Sequence, residues 1–182
     1  MKNFTFLVIF MSIVSLIILT KTPSYAKAPA PVIYVNPTEF SGLWYEIART
    51  YNSYEENCVA PTVEYKKISK TKLEVYNRCF KEKIGADLKE YKGVVEPLGS
   101  NGNMSLMEKT YYWIFSEEYR IIYLDNYETA VVVDENMEYV WIMNRKPTIE
   151  NKKLGDIISM LNNYIDTDKL IFPMQDKNGR YK

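Results

Sequence analysis

From residue 38 onward the chain is built of short runs in which apolar and polar positions alternate, crowded with β-branched and aromatic residues. Eight such runs stand at 44–50, 59–68, 72–80, 88–96, 104–110, 119–125, 129–133 and 139–144. Residues of these types fit a pleated, half-buried surface, so each run is predicted as a strand. Turn-forming clusters separate them, among them Ser69-Lys70, Gly99-Ser100-Asn101-Gly102-Asn103 and Asp134-Glu135-Asn136. Connections this short favour antiparallel neighbours. Eight evenly spaced short strands predict an all-β fold, a barrel or a sandwich.

The period changes once. Leu154, Ile157, Ile158, Leu161 and Ile165 fall at helical spacing after Pro147, with Lys152, Lys153, Asp156 and Asn162 on the other faces. A helix over about 149–165 is predicted, capped by Thr148 and carrying one apolar stripe, so it should lie against the outside of the sheet.

The two ends read differently. Lys2, the apolar residues 4–19, and the small residues Ser24 and Ala26 before Lys27 form an export signal cut after residue 26. The apolar stretch falls short of the ~20 residues that a spanning helix needs. Lys27, rather than a cysteine, follows the expected cut, so the working protein is expected to be exported, soluble and without a lipid anchor, in a periplasm or outside the cell. Residues 27–37, with Ala28-Pro29-Ala30-Pro31, should be extended and join no sheet. Residues 38–174 then form one domain, and the polar tail 175–182 should be loose.

Charge and composition narrow the chemistry. Basic and acidic residues balance at 23 each in the whole chain, and Lys2 and Lys21 depart with the signal, so no basic excess remains to hold nucleic acid. The sequence contains no histidine. That removes Ser-His-Asp and Cys-His catalysis, the commonest zinc ligand and histidine-ligated haem, and no cofactor or metal is expected. Cys58 and Cys79 lie on runs predicted to neighbour each other across Ser69-Lys70-Thr71. In an oxidising compartment they should pair, a staple worth about 3 kcal/mol. The alternative is a nucleophilic thiol, for which no histidine is available as activator. Sixteen tyrosines and three tryptophans, apolar bodies mostly with a polar tip, favour a lined pocket over a uniformly aliphatic interior.

Three segments carry a more specific signal. Gly42-Leu43-Trp44-Tyr45-Glu46 opens the first strand, with a glycine that allows close backbone approach. Leu124-Asp125-Asn126-Tyr127 lies at a turn, and Trp141-Ile142-Met143-Asn144-Arg145 ends the last strand. An arginine over an indole face contributes about 0.5–2 kcal/mol. In order, after an export signal and before a helix, these segments resemble the signatures of the lipocalins, and from 36 to 173 the chain is similar to the bacterial branch related to apolipoprotein D. The second signature is shortened, with only Asn126 between Asp125 and Tyr127. The resemblance implies an eight-stranded antiparallel up-and-down barrel with the helix packed outside. It also implies one small hydrophobic or amphipathic ligand, such as a fatty acid or lysophospholipid, inside. Gly42, Trp44, Asp125, Tyr127 and Arg145 would then hold the fold without touching the ligand.

The binding residues have to be sought elsewhere. Tyr111-Tyr112-Trp113-Ile114-Phe115 concentrates aromatic side chains between two predicted strands, so Tyr111, Tyr112, Trp113 and Phe115 are taken as a rim or lid; the competing reading folds that loop back as core. Tyr76 and Tyr91 are candidates for the interior, although a register slip of one residue would turn either outward. A carrier, storage or scavenging protein without catalytic activity is the leading reading. A lipid-modifying enzyme of isomerase type would need a free thiol or a carboxylate pair such as Glu46 with Glu64. A surface-binding module without ligand is the third.

Overall fold

A computed structural model of the chain describes residues 27–112 and 115–178. The expected export signal, Trp113 and the last four residues lie outside the described residues. Eight strands, β1 (Gly42–Arg49), β2 (Cys58–Lys67), β3 (Leu73–Lys81), β4 (Leu88–Pro97), β5 (Leu106–Tyr111), β6 (Phe115–Asp125), β7 (Thr129–Asp134) and β8 (Val140–Asn144), pair in chain order. All pairings are antiparallel, and β8 returns to β1, with Tyr45 opposite Asn144 and Arg49 opposite Trp141. The sheet is a closed up-and-down barrel, in which each of the eight strands has a paired neighbour on both sides.

The period-two alternation sorts the core into two parts. Trp44, Val63, Tyr65, Leu73, Val75, Val95, Met107, Ile121, Val132 and Met143 fill the barrel interior. Tyr45, Ile47, Val131, Val133, Val140 and Ile142 face outward and are covered by the helix α2 (Asn151–Leu161), which buries Ile157 and Leu161 against them. Strand β7 is therefore buried on both faces and is apolar at each of residues 130–133, whereas β4, solvated outside, alternates.

Three local expectations change. The helix spans 151–161 rather than 149–165, and Thr148 does not cap it: Glu150 precedes the first turn without a side-chain cap, while the Thr148 carbonyl accepts from Asn144 Nδ2 at 2.8 Å. Strand β6 begins four residues early, at Phe115, which pairs with Tyr111. Tyr111 and Phe115 are thus the facing ends of a β5–β6 hairpin, with Tyr112 at φ +49°.

The segment before the barrel, residues 27–36, forms no strand, yet it is anchored. Ala28 N–H donates to Glu135 O (2.9 Å) and Val32 N–H to Ile121 O (2.8 Å), while Val35 is fully buried. The tail is not loose at its start. Strands β1 and β2 pair only from Gly42 to Tyr45 and then diverge, each with a bulge, between Glu46 and Ala48 and between Val59 and Thr62. Residues 171–175, the end of the domain and the first residue of the tail, fill that gap. Ile171 and Arg49 exchange main-chain hydrogen bonds (2.8 and 2.9 Å), Ala60 N–H donates to Met174 O, and Gln175 Nε2 donates to the Glu46 and Pro61 carbonyls that the bulges leave outside the ladder.

Candidate ligand-binding site

The two ends of the barrel are built for different purposes. At the end where β1 begins, the short helix α1 (Pro37–Phe40) brings Phe40 over Trp44, both fully buried with ring centroids 4.9 Å apart. Trp44 Nε1 donates to Phe40 O at 2.9 Å, so the indole is satisfied without water. The Arg145 guanidinium carbon stands 3.8 Å from the Trp44 ring centroid. Its nitrogens donate to the carbonyls of Glu39, Phe40, Ser41, Leu43 and Tyr127 at 2.7–3.2 Å. Burial pulls the Arg145 pKa down to about 10. Gly42 makes room for it: its φ is +99°, and a Cβ there would lie 3.3 Å from Arg145 Nη1. Asn126 and Tyr127 both have positive φ and, with Glu128, form the three-residue turn between the paired Asp125 and Thr129, closed by Glu128 N–H donating to Asp125 O at 2.8 Å. The Tyr127 hydroxyl accepts from Asn36 N–H (2.9 Å), and Asp125 pairs with Lys153 of α2 at 2.6 Å. This end is closed.

The other end is open. Here a cavity of about 200 Å³ is lined by Tyr54, Tyr91, Tyr111, Tyr112, Phe115, Tyr119, Tyr139 and Trp141, with Asn52, Glu55, Asn77, Lys109 and Glu117 between the rings. Among the described residues no aliphatic side chain lines it. Below lies a much narrower pocket of about 20 Å³ among Glu46, Val63, Tyr65, Met107, Val132 and Met143, so the lower barrel is filled by its own side chains. Lys109 and Trp141 border both.

Polar groups of the cavity are mostly held by one another. Asn77 Nδ2 donates to the Tyr111 hydroxyl and the Tyr119 hydroxyl donates to Glu117. Burial raises the Tyr111 phenol pKa, as does the charge of Glu55; burial also raises that of Tyr119, reinforced by Glu117. At the floor, Glu46 is buried, and the cost of its charge there, together with the nearby Glu55, pushes its carboxyl well above the usual carboxylate range despite Arg49 Nε at 2.9 Å. Glu55 is held by Arg49 (3.5 Å), by Asn52 and by Trp141 Nε1 (3.2 Å).

Of the side chains proposed from sequence, Tyr91, Tyr111, Tyr112 and Phe115 come together around this cavity, the last two at its exposed rim. Tyr76 does not. In β3, Leu73, Val75 and Asn77 face inward, which turns Tyr76 to the outer surface. There its hydroxyl donates to Glu74 (2.7 Å) and its ring lies among Lys66, Arg78 and Lys92. The Glu46–Glu64 pair does not form either, because Glu46 points inward while Glu64 is bound outside by Arg78 at 2.7 Å. Cys58 and Cys79 are joined in a disulfide, which removes the thiol mechanism. Lys109, Glu117, Tyr119, Tyr139 and Trp141 were not among the sequence-derived candidates. Their signal was parity: they share the inward register of Met107, Ile121 and Met143.

The Lipocalin-like domain family matches residues 35–175, most of the chain. The Outer membrane lipoprotein Blc of Vibrio cholerae is 32% identical over 149 residues, covering 80% of this chain and 85% of its own. The chain is a lipocalin. Blc of Escherichia coli K12 is 24% identical over 88% of this chain and 90% of its own. Among solved structures, insecticyanin from the tobacco hornworm Manduca sexta superposes on this lipocalin with a TM-score of 0.70 at 17% identity, covering 86% of this chain and 89% of that one. In this lipocalin the shortened second signature keeps both of its anchors, Asp125 to α2 and Tyr127 to the N-terminal segment.

Proposed function

We propose that the chain is an exported binding protein that holds one small hydrophobic or amphipathic molecule in the open end of its barrel for transport, storage or scavenging, without catalysing a reaction on it. The observation that carries this is the ring-lined cavity of about 200 Å³ above a filled barrel floor. Each methylene that leaves water for such a site contributes about 0.8 kcal/mol, so an acyl or aryl group binds there without many polar contacts. Export accords with the Cys58–Cys79 disulfide and with relatives named as outer membrane lipoproteins. The expected cut before Lys27 supplies no cysteine for a lipid anchor, and intact-mass analysis of the mature protein checks that point directly.

The test is lipid extraction and native mass spectrometry of protein purified from its own host, with titration of a fluorescent fatty acid. Bound lipid, or saturable one-to-one probe binding that Tyr119→Ala weakens, supports the reading. An empty protein that leaves the probe free in solution overturns it.

A further inference from the structure

Lys109 is an unusual charge in this barrel. Most lysines of the outer surface that carry a partner are paired with a carboxylate, as Lys72 with Glu96 (2.7 Å), Lys92 with Glu74 (2.7 Å) and Lys153 with Asp125 (2.6 Å). Lys109 points the other way, between Met107 and Tyr111 on the inward register of β5, and borders both the cavity and the filled floor. Among the described residues no carboxylate lies within 4 Å of its ammonium. Three rings hold it instead: Tyr119 at 4.8 Å, Tyr111 at 5.2 Å and Trp141 at 5.5 Å from centroid to Nζ.

The carboxylates of the same cavity are already engaged. Glu55 is taken by Arg49, Asn52 and Trp141, and Glu117 by the Tyr119 hydroxyl. Glu117 stands opposite Lys109 in the β5–β6 register and the buried Glu46 lies at the floor beneath it, but neither carboxylate reaches the ammonium: Glu117 is bound by the Tyr119 hydroxyl and Glu46 by Arg49, so Lys109 keeps no contact ion pair among the rings, where electrostatic attraction is stronger than in water. The free volume lies above it, toward the mouth, while the floor beneath is occupied by Met107, Val63 and Met143.

Building on the reading of the cavity as a ligand site, we infer that Lys109 selects an anionic amphiphile, a single-tailed carboxylate or phosphate monoester, that enters head first. The acidic group meets the ammonium at the base of the cavity, and the tail runs back among the rings of the mouth.

Three probes with the same twelve-carbon tail test this in displacement of a fluorescent probe: laurate, dodecanol and dodecyltrimethylammonium. Laurate is expected to bind about tenfold or more tighter than dodecanol, the equivalent of about 1.4 kcal/mol, and the ammonium weakest. Lys109→Gln should bring laurate down to the level of dodecanol while dodecanol changes less than about twofold. Lys109→Arg, which keeps the charge, should retain the preference. Dodecyl phosphate distinguishes the two head groups, since either one exceeding dodecanol supports the inference. Equal binding of acid and alcohol, preference for the ammonium, or uniform loss in Lys109→Gln with a folded spectrum would overturn the inference and leave the binding function standing. Failure of every probe in the unmutated protein would overturn both.

Discussion

Replacing Arg145 by alanine separates stability from binding. The side chain gives its cation–π contact with Trp44 and satisfies five carbonyls, those of Glu39, Phe40, Ser41, Leu43 and Tyr127. Loss of a largely desolvated cation–π contact costs about 1–2 kcal/mol. Water can refill the carbonyls nearest the surface, and Phe40 O keeps its bond from Trp44 Nε1, but one or two of the others, Leu43 O among them, would stay unsatisfied, at about 1–3 kcal/mol each. The arginine's own desolvation, visible in its lowered pKa, offsets part of this. The net expectation is a loss of about 3–5 kcal/mol, a large share of the 5–15 kcal/mol that typically holds a domain together. Urea unfolding followed by tryptophan fluorescence reads the difference. Arg145→Lys should fall between, because an ammonium keeps the charge but cannot reach the same spread of acceptors. Molecules of the variant that remain folded should bind a fatty-acid probe with unchanged affinity, since Arg145 sits at the closed end and the cavity at the other. A stability loss under about 1 kcal/mol, or weakened binding in a protein of unchanged stability, would refute the reasoning.

Three further outcomes follow from the same structure. Reducing Cys58–Cys79, or replacing both residues by serine, should lower stability by about 3 kcal/mol in urea titrations with and without reductant, because the bond closes a loop 21 residues apart in sequence. Glu46 has a folded pKa above its unfolded one, so the folded state holds that proton more tightly; the stability it contributes is present at low pH and is lost as pH rises through the folded value. Melting temperature should therefore fall more steeply on raising the pH from about 5 to 7 in the natural protein than in Glu46→Gln, each unit of upward shift being worth about 1.4 kcal/mol; parallel curves would count against it. Tyr76→Ala should leave probe affinity unchanged, whereas Tyr91→Ala should weaken it severalfold in the same titration, and the reverse order would mean that the register of β3 or β4 is misassigned.

How much of this was readable beforehand depended on what each residue's role rests upon. Strand existence followed from local alternation, which Leu73-Glu74-Val75 displays openly. Strand ends did not. Ser116, Glu117 and Glu118 read as a polar loop, and only their pairing with residues 108–110 makes them part of β6. The closed end was legible because its residues are chosen for local reasons: Gly42 needs positive φ, and Arg145 needs a planar fork for carbonyls and an indole. Tyr76 was placed wrongly although Leu73 and Val75 already marked the inward parity of β3. Gln175 was unreadable, because its acceptors exist only where two bulges part β1 from β2.

The cavity is the hardest part for a physical reason. Hydrophobic alternation identifies inward positions by their being apolar, and a ligand site is made of the inward positions that are not. Glu46, Asn77, Lys109 and Glu117 each break the pattern that would reveal which way they face. Their direction becomes known only when the register of the neighbouring strand is fixed, and in a closed barrel each register constrains the next around the full circle. A polar residue flanked two positions away by a buried apolar one, as Lys109 is by Met107, is then the signature to seek: the strand cannot turn that residue outward without exposing its neighbour, so the charge must face the barrel interior.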